Sequence, residues 1–334
     1  MTSPILISKD EKISIGVTTY DRLEMLTETV SSILVQTHEN LEILVANDNP
    51  ERNLSMSDLG LEYDPRVIIV NHPKNLGEIN NLNWLLKNSS GRYFTWLSDD
   101  DIIHPQHIEI LARELSSREE LSCTFSGYTS DKLLFDRSKA KDLVPCKFLQ
   151  FDSENFILKY SHREIAIIGC YGLFKRSNLL AAGGFTSLGE GFSPYSDTLI
   201  PIMLSAHSLI SVTESSSIFF RAHSRSLSNS FTDVRELLDA ERDFVQILGG
   251  IVSEFPTLTR KKIFANFSCW FRDNHLTVIL RGSEMGIVGL LCAWINACKE
   301  RIMLFEKTGT EIYIGFVPGL FILLKHQIRK KFNS

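Results

Sequence analysis

The sequence TWLSDDDIIHP, residues 95–105, places Asp99, Asp100 and Asp101 directly after a run of apolar and aromatic residues. Neighbouring carboxylates repel one another, and a bound cation relieves that repulsion. Clustered carboxylate oxygens suit Mg²⁺ or Mn²⁺, and Mg²⁺ usually takes only one or two carboxylates and completes its shell with substrate phosphates and water. The stretch therefore predicts a metal–diphosphate site. The alternative is a solvated acidic loop that interacts favourably with the N-terminus of the next helix.

The apolar run in front of the aspartates is one of several stretches that are typical of buried strands. Helices are predicted to start after Asp21, with Glu24 completing a capping pair, to cover residues 79–91, and to start again at Pro105. This alternation predicts an α/β fold with a mostly parallel sheet and helices on both faces. Ligands of such sheets bind beyond the carboxyl ends of the strands. The predicted strands are residues 13–19, 41–47, 66–72, 93–98 and 121–128.

The composition is that of a globular protein, since 43% of the 334 residues are hydrophobic and 22% are charged. The net charge of −5 argues against a nucleic-acid partner. The six cysteines include no C-x-x-C pair, and the N-terminus lacks the long apolar stretch of a signal peptide, which predicts a cytoplasmic location. Residues 129–165 are irregular and polar, and the pattern becomes helical from about Phe231. We therefore predict a catalytic α/β domain over residues 1–230 and a helical region over 231–334.

Polar side chains also follow the first two predicted strands. Thr18, Thr19 and Tyr20 leave the first strand together, where their hydroxyls could face a ligand. Asp48 follows the second strand, where its carboxylate could accept a hydrogen bond from a ring N–H of a base. Ordinary turn chemistry is the alternative for both groups.

Two motifs later in the chain carry further candidates. Asp197 in SPYSDTLIPI is a candidate general base at a helix start, although Ser196 or Asp197 could instead be the N-cap of that helix. Arg221, His223 and Arg225 in FFRAHSRS follow a strand and could neutralise a phosphate; the alternative is a polar strand end.

Taken in order, the motifs VTTYDR, LEILVANDN, NLGEINNLN, GRYFTWLSDDDIIHP, AAGGF, SDTL and FFRAHSRSLS resemble those of glycosyltransferase family 2. The resemblance covers residues 13–227 and implies the GT-A fold, a Rossmann-like mostly parallel sheet flanked by helices, here with a C-terminal helical region. It implies a nucleotide-sugar donor, Asp197 as the catalytic base, and Mg²⁺ or Mn²⁺ at Asp100, the expected direct ligand, with Asp101 beside it. The donor-binding residues that it implies are Thr18, Thr19, Tyr20, Asp48, Asn83, Asp99, Arg221 and His223.

The implied reaction is a single displacement that inverts the anomeric carbon, with Asp197 taking the proton of an acceptor hydroxyl. The chain departs from the family pattern at Ser98, Asn47 and Leu82, where Asp, Asp and Arg are usual. A sugar-nucleotide pyrophosphorylase would need a glycine-rich loop after the first strand, and VTTYDRLEM has no glycine. A haloacid-dehalogenase-like phosphatase would carry its aspartates on the first strand. A non-catalytic sugar- or cation-binding module is the remaining alternative.

Residues 286–298 and 312–324 are strongly apolar, but each is shorter than the roughly 20 residues that span a bilayer. The chain then ends in the basic sequence KHQIRKKF. Either these segments pack in a helical bundle, or they anchor the protein to anionic lipid at the cytoplasmic face of the inner membrane. Such an anchor would suit a lipid-linked oligosaccharide acceptor, as used by family members that build bacterial surface polysaccharides such as O-antigen or capsule.

Overall fold

The computed structural model describes residues 11–139, 141–144, 146–189, 193–223, 226 and 234–281, and it divides the chain into two compact units. One division, between residues 222 and 223, lies near the predicted boundary at residue 230. The sequence pattern did not reveal that two earlier segments also belong to the helical unit. Unit 1 comprises the chain up to Phe156, Ala166–Thr186 and Ser196–Ala222; unit 2 comprises Ile157–Ile165, Ser187–Tyr195 and the chain from His223.

The first half of unit 1 is a parallel sheet, as predicted. It consists of β1 (Ile13–Thr19), β2 (Leu41–Asn47), β3 (Val67–Asn71) and β4 (Tyr93–Ser98), in the order β3-β2-β1-β4. Every residue of β2 is buried, as expected of a central strand covered on both faces. The registers pair Thr19 with Asn47 and Thr18 with Ser98, so the residues that follow these strands meet at one edge of the sheet.

The second half of the sheet mixes strand directions. It consists of β5 (Ile102–Ile103), β6 (Leu121–Thr129), β7 (Phe148–Phe151), β8 (Gly172–Lys175) and β9 (Leu209–Phe219). The order continues from β4 as β8-β6-β9-β5, with β7 also paired to β9; β6 and β9 are parallel, and the other pairs are antiparallel. The strand-like run over 165–174 is a strand only from Gly172, because Gly169–Tyr171 form a 3₁₀ turn.

The helices of the described chain agree with the sequence pattern in unit 1 up to residue 117. They are α1 (Leu23–Leu34), α2 (Glu78–Asn88), α3 (His107–Ser117), α4 (Lys132–Lys139), α5 (Ser153–Ser161), α6 (Arg176–Ala181), α7 (Ser196–Ser205), α8 (Val234–Ile251) and α9 (Thr257–Arg281). The predicted Asp21–Glu24 capping pair is wrong, since the N-cap of α1 is Arg22 and makes no side-chain cap. Residues 129–165 are not irregular throughout: they contain β7, α4 and α5. In α4 only Phe135 is buried. The helix therefore has no buried apolar face, and its sequence lacks the periodic pattern from which a helix is predicted.

The described part of unit 2 is mainly helical and contains α8 and α9. Phe244 of α8 packs on Phe267 and Phe271 of α9, with ring centroids 5.1 Å and 5.5 Å away. None of the described helices is both long and apolar enough to cross a membrane. The apolar segments 286–298 and 312–324 and the basic C-terminus lie outside the described residues.

Candidate active site

The aspartate triplet is buried. The exposed fractions of Asp99, Asp100 and Asp101 are 0%, 7% and 3%. These values exclude a solvated acidic loop, which would leave its carboxylates in water. Each carboxylate must therefore be stabilised by a specific partner.

The carboxyl ends of β1 and β4 bring Thr19 and Asp99 together. Thr18 and Ser98 are partners in the parallel register, so the next residue of each strand lies at the same sheet edge. The Thr19 hydroxyl donates a hydrogen bond of 2.5 Å to Asp99 Oδ2. Burial raises the pKa of the Asp99 carboxyl, while Arg22 and the Thr19 hydroxyl act in the opposite direction.

A single arginine joins two of the aspartates. One terminal nitrogen of Arg22 contacts Asp99 Oδ1, and the other donates a hydrogen bond of 2.6 Å to Asp100 Oδ2. The planar guanidinium allows both contacts at once. Arg22 was not among the residues predicted from the sequence. Its signal was a cation three residues beyond the first strand, at the same sheet edge as the aspartates.

Asp101 is held by groups of the fold. The Tyr171 hydroxyl donates to Asp101 Oδ2 at 2.8 Å, and the backbone N–H of Arg221 donates to Oδ1 at 3.0 Å. Burial, followed by the negative charge of Asp100, raises the pKa of Asp101 to about 7. Both carboxylate oxygens of Asp101 therefore have partners within the protein, and metal binding by Asp100 and Asp101 stays a prediction.

Asp48 organises the loop in front of α2. Its Oδ1 accepts a hydrogen bond from the Leu76 N–H at 2.7 Å, and its Oδ2 accepts one from the Gly77 N–H at 2.9 Å. Gly77 has a φ of 78°, which favours glycine. Each carboxylate oxygen can accept a second hydrogen bond, so the contact of Asp48 with a base stays a prediction.

Asn83 holds the turn that carries the AAGGF motif. Its Nδ2 donates to the Phe185 carbonyl at 2.8 Å, and its Oδ1 accepts from the Phe185 N–H at 2.9 Å. Gly184 has a φ of 76°, and a Cβ there would clash with Asn83 Oδ1. Both ends of the amide are engaged, so the structure gives Asn83 a positioning role, and its contact with the donor stays a prediction.

Two carboxyl groups with different pKa values lie near the triplet. Asp197 is in the first turn of α7, which approaches Gly169 so closely that a Cβ on Gly169 would clash with the Asp197 carbonyl. Burial raises the pKa of Asp197 to about 6. Burial, followed by the negative charge of Asp197, raises the pKa of Glu78 to about 8, and Arg22 and Asp100 also act on it. The sequence analysis missed Glu78, whose only signal was an acidic residue at the predicted start of α2.

The predicted phosphate-binding cations divide between the two units. Arg221 closes unit 1, where its guanidinium pairs with Glu28. His223 is half-buried and belongs to unit 2, and Arg225 lies outside the described residues. Contact of these side chains with a diphosphate stays a prediction.

A small cleft opens beside the ends of β1 and β2. Tyr20, with an exposed fraction of 54%, lies on its rim with Arg52. Leu26 and Leu54 contribute apolar surface, and Asn47 contributes an amide. The lining therefore mixes apolar and polar side chains, a combination found in sites that bind small molecules. The half-buried Thr18 precedes this cleft on β1.

A family comparison agrees with this geometry: residues 14–179 match the model described as Glycosyl transferase family 2. The chain belongs to glycosyltransferase family 2. The matched range contains Thr19, Asp48, Asp99 and Asp100, and it ends before Asp197.

Family 2 relatives align with limited parts of the chain. An uncharacterized glycosyltransferase of Rickettsia felis is 38% identical over 97 residues, which are 29% of this chain and 16% of the relative. One of Haemophilus influenzae is 38% identical over 112 residues, which are 33% of this chain and 34% of the relative. The aligned segments therefore span about a third or less of the length of these curated relatives.

The solved structure of S. aureus TarS, residues 1–349, resembles this family 2 chain with a TM-score of 0.58 at 14% identity, covering 88% of this chain and 80% of TarS. Its complex with UDP-GlcNAc gives a TM-score of 0.54 at 14% identity, covering 92% and 95%. At this identity the likeness shows the fold alone. The predicted GT-A fold is confirmed.

The divalent cation implied by the family 2 resemblance can be compared with the residues present. The described part of the chain contains no group of three His, Cys, Asp or Glu side chains that could hold a metal ion. Mg²⁺ does not need such a group when substrate phosphates complete its shell. Asp100, beside the fully buried Asp99, fits a cation that arrives together with a diphosphate.

Proposed function

We propose that this family 2 glycosyltransferase moves a sugar from a nucleotide-sugar donor to an acceptor hydroxyl, with inversion of the anomeric carbon. The observation that supports it best is the grouping of charged side chains around Glu78, since Asp197, Arg22 and Asp100 all act on its carboxyl group. The pKa of Glu78 is raised to about 8, and that of Asp197 is raised by burial to about 6. Carboxyl groups whose environments separate their pKa values are typical of acid–base sites.

The donor is proposed to bind across the carboxyl ends of β1 and β2. Its base would enter the cleft beside Tyr20, near Thr18, and its diphosphate would lie at Asp100. The TarS complex with UDP-GlcNAc supports UDP-sugars as the first donor class to test. Arg221 and His223 are proposed to meet the diphosphate.

Asp197 is the proposed general base. A carboxyl group with a pKa of about 6 is largely ionised at pH 7 and still basic enough to accept a proton in the transition state. It would take the proton of the acceptor hydroxyl while that oxygen attacks the anomeric carbon from the face opposite the leaving nucleoside diphosphate. A divalent cation, Mg²⁺ or Mn²⁺, held by Asp100 would stabilise the charge that develops on the leaving group. Glu78, with a pKa of about 8, is largely protonated at pH 7 and adds little negative charge beside the diphosphate.

The acceptor is proposed to be a lipid-linked oligosaccharide of O-antigen or capsule type, reached at the cytoplasmic face of the inner membrane. The support comes from the sequence alone: residues 312–324 are apolar, and residues 325–334 contain Lys325, Arg329, Lys330 and Lys331. Each such charge near an anionic surface contributes about 1 kcal/mol of attraction. Together with apolar burial, this is enough for reversible attachment.

A thermal-shift panel tests the donor proposal. Ligands that bind only the native state raise the melting temperature, so UDP, GDP, ADP and CDP are each added with Mg²⁺, with Mn²⁺ and with EDTA. We expect at least one nucleoside diphosphate to raise the Tm of the protein, and to do so more strongly with metal. Asp100→Ala should lose the metal dependence, whereas Asp136→Ala, which removes an exposed aspartate of α4, should behave as wild type. If none of the diphosphates raises the Tm with either metal, the protein does not use a nucleotide-sugar donor of these classes.

A further inference from the structure

Arg22 lies where two ligands are proposed to arrive. Its guanidinium contacts Asp99 and Asp100, while the residue itself lines the cleft proposed for the donor base. Its side chain is only 15% exposed, so it is fixed between the acidic pair and the cleft. Nothing in the family resemblance assigns a role to this residue.

The contact with Asp100 uses an oxygen that a metal would need. Arg22 donates a 2.6 Å hydrogen bond to Asp100 Oδ2, the carboxylate that best fits a divalent cation. A guanidinium and a metal ion on the same carboxylate would repel each other, and at this degree of burial the repulsion is weakly screened. This repulsion would weaken metal binding to Asp100 for as long as Arg22 stays on its carboxylate.

A nucleoside diphosphate would offer Arg22 an alternative partner to Asp100. Its phosphate oxygens are strong acceptors for a guanidinium, often in a two-point contact. Arg22 could remain on the fully buried Asp99 while it turns from Asp100 towards the phosphates.

We infer that Arg22 occupies Asp100 in the donor-free protein, and that it thereby makes divalent-cation binding depend on the nucleoside diphosphate. The inference rests on the proposed function, because it assumes a diphosphate donor. It assigns Arg22 a positioning role that controls the order of binding.

Mn²⁺ binding, followed through the electron paramagnetic resonance signal of free Mn²⁺, tests this role without turnover. Wild-type protein should bind Mn²⁺ weakly alone and at least about tenfold more tightly with UDP or whichever diphosphate raises the Tm. Arg22→Gln should bind Mn²⁺ alone at least about tenfold more tightly than wild type, the scale on which an adjacent cation changes proton binding to a carboxylate. Arg113→Gln is the matched control: it removes an arginine of α3 that lies outside the cleft and pairs with Glu109 at 2.6 Å, and it should match wild type.

The direction of the change separates this role from simple damage, since a disordered site would bind Mn²⁺ less tightly. Circular dichroism establishes whether Arg22→Gln folds once Asp99 has lost its partner. If it does not fold, Arg22→Lys replaces it, because lysine is shorter and lacks the planar guanidinium whose two terminal nitrogens contact Asp99 and Asp100. We expect that variant also to bind Mn²⁺ alone more tightly than wild type.

The inference is overturned if the folded Arg22 variant binds Mn²⁺ alone no more tightly than wild type, or if wild type binds Mn²⁺ equally well with and without the diphosphate. Failure of the proposed function is a different result. In that case wild type and Arg113→Gln bind none of the diphosphates, while the comparison of Mn²⁺ alone still reports whether Arg22 competes for Asp100.

Discussion

Glu78→Gln should abolish the alkaline limb of the pH–rate profile and leave the acid limb in place. The pKa of Asp197 is about 6 and that of Glu78 about 8. Both pKa values are raised, so each group keeps its proton to a higher pH than a solvated carboxyl group does. As the pH rises, Asp197 becomes ionised first, while Glu78 is still neutral. Glutamine resembles that neutral form, so the substitution should not alter the titration of Asp197.

The size of each limb follows from the two pKa values. A base with a pKa of about 6 is about nine-tenths ionised at pH 7 and about one-tenth ionised at pH 5, so kcat/KM should fall about ninefold between them. Ionised Glu78 would place a negative charge near Asp100 and the incoming diphosphate. If only the neutral form is productive, wild-type kcat/KM should fall up to about tenfold by pH 9. Glu78→Gln should keep the acid limb and lose the alkaline one.

Initial rates at subsaturating donor, measured from pH 5 to 9.5 at constant ionic strength, test these expectations. Donor hydrolysis serves as the readout until an acceptor is known. Glu62→Gln is the control, since Glu62 is an exposed glutamate and its loss should leave both limbs in place. The reasoning is refuted if Glu78→Gln shifts or abolishes the acid limb, or if wild type shows no acid limb between pH 5 and 7.

Asp100→Ala should abolish metal-dependent nucleoside diphosphate binding with the fold intact; unchanged metal dependence by calorimetry would assign the cation elsewhere. Asp197→Asn should lower the rate of transfer by about 10²-fold or more without changing donor affinity. Near-normal turnover would refute the role of Asp197 as the general base and favour a structural role at the start of α7. Asn83→Ala should lower the free energy of unfolding by about 1–3 kcal/mol, because both backbone groups of the buried Phe185 lose a partner. Equal urea midpoints for Asn83→Ala and wild type would refute that role. Deleting residues 312–334 should weaken the salt-sensitive binding of the protein to anionic vesicles. The membrane anchor is refuted if the intact protein does not bind such vesicles at low salt.

Sequence patterns located the sheet edge well because its strands are short apolar runs closed by polar residues. The predicted ends of β1, β2 and β4 agree with the structure, and these ends place Thr19, Asp48 and Asp99 together. The partners of those residues could not be predicted, because each contact joins distant segments. Asp101 meets the hydroxyl of Tyr171, 70 residues later in the chain. The sequence position of Asn83 likewise gave no information about its contact with Phe185.

The three adjacent carboxylates of Asp99, Asp100 and Asp101 repel one another, and the fold gives each of them a separate stabilising partner. Asp99 accepts a hydrogen bond from the Thr19 hydroxyl and contacts one terminal nitrogen of Arg22, whose other terminal nitrogen contacts Asp100. Asp101 accepts a hydrogen bond from the Tyr171 hydroxyl. The pKa of Asp101, about 7, also keeps that group partly protonated near neutral pH, which reduces the repulsion further. A cation that enters this site therefore competes with Arg22 for Asp100. Since a diphosphate can offer Arg22 a new partner and the cation new ligands, the two should bind together more tightly than either binds alone.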